Sequence, residues 1–192
     1  MADVVRTSSQ PMLGQIRLAW WRERLEALDR GEVPAEPRLQ AAASELLPRG
    51  IAGSNLARIE GGWLRLFDDF PWDISTSEAI WLRGRLLFGL GGRILGARSD
   101  QIDGAGGVWA LVDAARHCSD AASRETLLGQ ARTFARGLSG ARFPFAVRPV
   151  TGLAALAIRD LSRGGSFEPE ATRGRAAALL AHRLTGRLPS AG

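Results

Sequence analysis

The chain has no lysine and no tyrosine, one cysteine (Cys118) and two histidines (His117 and His182). Each shortage narrows the chemistry. One cysteine excludes an intramolecular disulfide and fits a reducing compartment. With so few soft ligands no zinc spacing arises, and no Ser/His/Asp arrangement stands out. Cys118 has only His117 beside it, and neighbours on a helix point apart. His182 lies among alanines and leucines and reads as a packed or surface histidine. Long apolar runs are also missing. The longest, Leu86 to Leu95, is interrupted by Arg93 and several glycines and is too short to span a bilayer. Residues 1–10 lack the apolar stretch of a secretory leader. These absences predict a cytoplasmic protein, with contact at a membrane surface left open.

What is present is arginine. All 25 basic residues are arginine, against 20 acids, giving a formal net charge of +5 and a pI near 11.1 in 192 residues. Arginine keeps its charge and grips phosphate with a planar fork, so nucleic acid, anionic lipid and diphosphates all come into view. A composition bias explains the same numbers, because the charges are spread rather than blocked. No segment shows an arginine stripe interleaved with exposed aromatics, so a nucleic-acid partner is not expected.

Helical periodicity runs nearly throughout, which predicts an all-α fold in one domain over 1–192, with flexible ends at 1–10 and 186–192. Pro11 opens a helix over about 11–30, and Pro37 a short second one. Ser54 is the expected N-cap of a third, closed by Pro71. Ser75-Thr-Ser-Glu78 reads as a capping box for a fourth, about 76–97, whose many glycines imply a kink or a close helix neighbour. Further helices are expected over about 104–118, 121–137, 150–162 and 169–185, the last two separated by a Gly164-Gly165 turn. The expected core includes Leu13, Ile16, Trp20, Leu56, Ile59, Trp63, Phe67, Leu82, Leu86, Val108, Trp109 and Val112.

The main polar constellation is Asp113, Arg116, His117 and Asp120. Positions 113, 117 and 120 are spaced i, i+4, i+7, so all three are expected to point from one helix face. Carboxylates beside Trp109 and Val112 need pairing, hydrogen bonds or a metal, and Mg²⁺ suits one or two of them plus phosphate oxygens. The competing reading is a solvated face near a helix end. Asp68, Asp69 and Asp73 form a second acidic group, read as helix-end caps. The run Phe88 to Gly96 is not a phosphate loop: no strand precedes it and no Lys-Ser/Thr follows.

Several of these segments together resemble the squalene/phytoene synthase family, in its bacterial phytoene-synthase-like branch. They are Pro11 to Leu25 with its Trp20-Trp21 pair, the glycine-rich Phe88 to Gly96, Ala110 to Asp120, and Arg142 to Leu161 with its Phe143-Pro-Phe145 loop. The match covers roughly residues 5–165. It implies an isoprenoid-synthase-type helical bundle without its front helices, since only ten residues precede Pro11. The implied chemistry is Mg²⁺-dependent head-to-head joining of two prenyl diphosphates. Arg116 matches the arginine of the second aspartate-rich motif. His117 stands where the family has an aspartate, and Asp120 matches the later acid with one residue missing between. The resemblance thus implies Arg116, Asp120, Asp113, His117, Gly89 and Gly92 as substrate-binding residues and Asp113 and Asp120 as Mg²⁺ ligands. It also implies that the altered motif has weakened or ended turnover. The alternative it carries is a non-catalytic assembly or binding factor with a protein partner, as in the complex I assembly proteins of the same family.

Overall fold

Helices dominate the structure, a computed structural model that describes residues 1–164 and 167–189. Among the described residues there is no strand, only an isolated antiparallel bridge between Arg142 and Arg187. The all-α expectation therefore stands. No helix among them is long and apolar enough to cross a membrane. Backbone contacts divide the chain into two compact units, Met1–Asp69 and Phe70–Gly192.

The first unit holds α1 (Ala2–Thr7), α2 (Pro11–Leu28), α3 (Pro37–Ala41), α4 (Gly53–Ala57) and α5 (Glu60–Leu64). Residues 2–7 thus form a helix where a flexible end was expected. The inward face of α2 also corrects the expectation. Leu13, Ile16 and Trp20 are exposed, and Leu18, Leu25 and Leu28 are buried. The helix carries apolar residues on more than one side, and Gly14 decides which turns inward. A Cβ there would lie 2.1 Å from the Phe67 ring, so only glycine admits that ring against the helix. Leu25 and Leu28 pack with Leu39, Ala42 and Ala57. Ile59 is buried, and Leu56, Trp63 and Phe67 are half-buried.

The expected third helix is broken. Residues 53–57 and 60–64 are separate helices, followed by a 3₁₀ turn over Arg65–Phe67. Ser54 does not cap it. The Asp29 carboxylate, at the end of α2, accepts from the backbone N–H groups of Gly53 and Ser54 and so caps α4 from a distance. Those bonds, Ser54 first, hold the Asp29 carboxyl below its ordinary value.

The second unit holds α6 (Ile74–Ile94), α7 (Asp100–His117), α8 (Ala121–Arg136), α9 (Arg148–Ser162) and α10 (Arg173–Thr185). Helix α7 is central, packed against α6, α8 and α9, while α10 packs on α9. The cap of α6 is Asp73 rather than the Ser75 box: its carboxylate accepts from Thr76 N at 2.8 Å. Asp73 is thus a cap at the start of a helix, not at the end of one. Ser99, Asp120 and Thr172 cap α7, α8 and α10. Leu82 is exposed, and its neighbour Arg83 is buried at 1 % relative exposure. Val108 and Val112 are buried, and Leu86 and Trp109 half-buried. The expected flexible end at 186–192 is partly held: Phe143 N donates to Gly186 O at 2.8 Å. Ser190 to Gly192, like Gly165 of the expected turn, lie outside the described residues.

Candidate functional site

A carboxylate inside an apolar stripe is the root of the site. On α9, Leu153, Leu156, Ala157 and Asp160 follow the i, i+3, i+4, i+7 pattern of one helix face, yet the last is an acid. Asp160 is buried, and two guanidiniums surround it. Arg116 of α7 donates to Oδ2 at 2.6 Å, and Arg175 of α10 donates to both oxygens at 3.0 and 3.1 Å. Arg116 also donates to Glu168 O at 3.0 Å and lies over the Phe167 ring at 4.9 Å. A second pair extends the group: Arg159 donates to Glu168, which also accepts from Thr172, the α10 cap. Three helices and the segment before α10 are thereby joined through buried charge.

Beside this cluster opens a cleft of about 230 Å³, with Trp109, Val112, Leu153 and Leu156 on its apolar side and Asp113, Arg116, Asp160, Glu170 and Arg175 on its polar side. Behind Asp113 lies Arg83. Burial pushes its guanidinium down to about 10, and the nearby Asp113 carboxylate acts the other way. Arg83 therefore stays charged at neutral pH. The three arginines and three acids here balance in formal charge.

The residues expected to bind substrate do not all meet at this cleft. Asp113 and Arg116 line it. His117 is exposed, its Nδ1 at 2.8 Å from its own helix's Asp113 O. Asp120 turns away, and its carboxylate accepts from Ser123 N and Oγ, both at 2.7 Å. The physical reason is the end of α7 at His117: Cys118 is extended (φ −80°, ψ 127°), so helical spacing does not carry position 120 onto the face of 113. Gly89 and Gly92 lie at the other end of α7. A Cβ on Gly89 would meet Asp103, and one on Gly92 would meet Ala97 O and Ile102. At 1.5 Å per residue, Asp103 and Asp113 are about 15 Å apart along the axis.

The Mg²⁺ pair expected from the resemblance, Asp113 and Asp120, fails the same geometric test. One carboxylate faces the cleft and the other caps α8, so they offer no shared coordination sphere. Among the described residues no three His, Cys, Asp or Glu side chains gather as a cation site. Cys118 is buried, and that burial pushes its thiol up, away from nucleophilic use. Asp160 and Arg175 were missed as site residues, although an acid at an apolar helical phase is a readable signal. Asp68, Asp69 and Gly96 take no part in the cleft.

Several groups set a pH response. The Ser123 N–H and hydroxyl hold Asp120 below the usual carboxylate range; the Thr172 hydroxyl and Arg159 do so for Glu168. Burial lowers the His182 imidazole from 6.5. All these folded values lie below their unfolded ones, so the native state binds fewer protons. Their stabilisation is complete above the unfolded pKa and is lost as pH falls through the folded one. The melting temperature should therefore drop on acidification in two windows, below about 6.5 for His182 and below about 4 for Asp29, Asp120 and Glu168. His182→Gln should flatten the first window only. A melting temperature that rises between pH 7 and pH 5 contradicts this assignment.

No protein-family model matches the chain, and neither the curated proteins nor the solved structures yield a match.

Proposed function

We propose that this chain is a divergent squalene/phytoene-synthase-like helical protein that works as a non-catalytic binding factor. The observation that carries this reading is the commitment of the charged groups on and just after α7. Arg116, the residue that resemblance offers to a diphosphate, is held by Asp160 and Glu168 O. Asp120, the residue it offers to Mg²⁺, caps α8. A diphosphate entering the cleft would have to displace Asp160 from two guanidiniums and would face the Asp113 and Glu170 carboxylates, which repel it. A helical scaffold with buried ionic ties keeps its shape without that chemistry, and fold outlasts function in this way.

The test is direct. The purified full chain, given C15 or C20 prenyl diphosphates with Mg²⁺ and a reduced nicotinamide as the hydride donor that squalene formation requires, should release no squalene, phytoene or pyrophosphate. Mg²⁺-dependent turnover by the native chain would establish the prenyl-joining enzyme instead.

A further inference from the structure

The acids of this chain are absent from one part of it. Residues 126–159 and 171–192 hold nine arginines and no Asp or Glu, while the other residues hold more acids than arginines. The fold gathers four of these arginines at the C-terminal end of α10. Arg148 donates to the carbonyls of Phe143, Arg183 and Leu184. Arg142 donates to Thr185 O, and Arg142 and Arg187 form the antiparallel bridge. Carbonyls accept these bonds without cancelling the charge. Among the described residues none of Arg142, Arg148, Arg173, Arg183 and Arg187 pairs with a carboxylate.

Large apolar side chains stand exposed among these charges: Phe145 at 61 %, Leu180 at 59 % and Leu184 at 70 %. Arg183 lies over the Phe145 ring at 4.5 Å and Arg148 at 5.6 Å, so the 145 turn and α10 form a continuous patch. At 100° per residue, Arg173, Ala177, Leu180, Arg183 and Leu184 share one outward stripe of α10. Its inward side carries the buried His182, whose Nε2 is 2.9 Å from Thr151 Oγ1.

We infer that this patch is a docking surface for an anionic phospholipid bilayer, with α10 lying in the interface and Phe145, Leu180 and Leu184 entering the acyl boundary. Charge complementarity selects the lipid. A helix with arginines beside leucines, on an outward face, meets a plane of phosphate headgroups above hydrocarbon. The leucines argue against nucleic acid, since aliphatic side chains neither stack on bases nor pair with phosphate. This inference is independent of the binding-factor reading.

Sedimentation of the full chain with phospholipid vesicles tests it. Binding to phosphatidylcholine vesicles containing phosphatidylglycerol should exceed binding to phosphatidylcholine alone at least about tenfold and should weaken with salt. Arg183→Gln and Arg187→Gln should each lower that binding about fivefold. Leu180→Gln/Leu184→Gln should lower it at least about fivefold at an unchanged melting temperature, because both side chains are already exposed. Equal binding to neutral and anionic vesicles overturns the inference. So does full binding by the leucine variant, or binding to a single-stranded oligonucleotide that the leucine variant retains.

Discussion

Placing one methyl group at position 84 should destabilise the second unit by about 2–4 kcal/mol, and valine there should prevent its folding. Gly84 of α6 and Gly106 of α7 meet backbone to backbone. A Cβ on Gly84 would lie 2.1 Å from Gly106 O, and one on Gly106 would lie 2.2 Å from Gly84 O. Neither obstacle is a side chain that can turn aside. Relief requires the two helices to separate until that 2.1 Å contact reaches an ordinary 3.4 Å or more, and α6 packs along most of α7. Separation would open voids around Phe88, Val108 and Leu111, all buried. Gly129 of α8 is the control, with nothing within 4 Å of its missing Cβ. Gly129→Ala should stabilise by about 0.5–1 kcal/mol through helix propensity alone. Urea unfolding midpoints of the two variants should therefore move in opposite directions. An unchanged midpoint for Gly84→Ala refutes the close crossing.

That crossing also marks the limit of sequence reading. The glycines between 84 and 96 did indicate a close neighbour, and the matching cluster Gly104, Gly106 and Gly107 lies in the next helix, but only packing pairs Gly84 with Gly106. Gly96, with φ +74°, simply follows the end of α6. Helix number and order were legible because apolar spacing of three and four is a local property. The inward face of α2 was not, since Leu13, Ile16 and Trp20 make as good a stripe as Leu18, Leu25 and Leu28. Phe67, far along the chain, breaks the tie. In the candidate site, Arg116 and Asp113 were legible from the face of α7. Asp120 misled, because i, i+4, i+7 spacing holds only while the helix lasts, and α7 stops at His117. The position of Asp120 already contained the explanation, as an aspartate immediately before the next helix start is a cap signal. Asp160 and Arg175 come from two later helices, and only tertiary packing sets them against Arg116.

Replacing Asp160 with alanine should cost about 3–5 kcal/mol and loosen α10 first. The carboxylate is 3 % exposed, and the two guanidiniums it holds are 17 % and 12 % exposed. Without it, Arg116 and Arg175 face each other as like charges with little water to screen them. Arg175 sits in the first turn of α10, so its release frees the helix start as well as the pair. Amide exchange in α10 should accelerate before that of α6 and α7, since this helix packs mainly on α9. Asp160→Asn keeps the shape and removes the charge, and it should recover less than half of the loss. Replacing all three partners together, Arg116→Met/Asp160→Leu/Arg175→Met, should restore most of it, because an apolar trio leaves no charge unpaired. The same variants bear on function. In Asp160→Asn the two guanidiniums face the cleft unneutralised, so inorganic pyrophosphate should raise its melting temperature well beyond any rise it gives the native chain. A native chain stabilised by pyrophosphate as strongly as the variant would mean that Asp160 does not occupy the arginines, and the binding-factor reading would lose the observation that carries it.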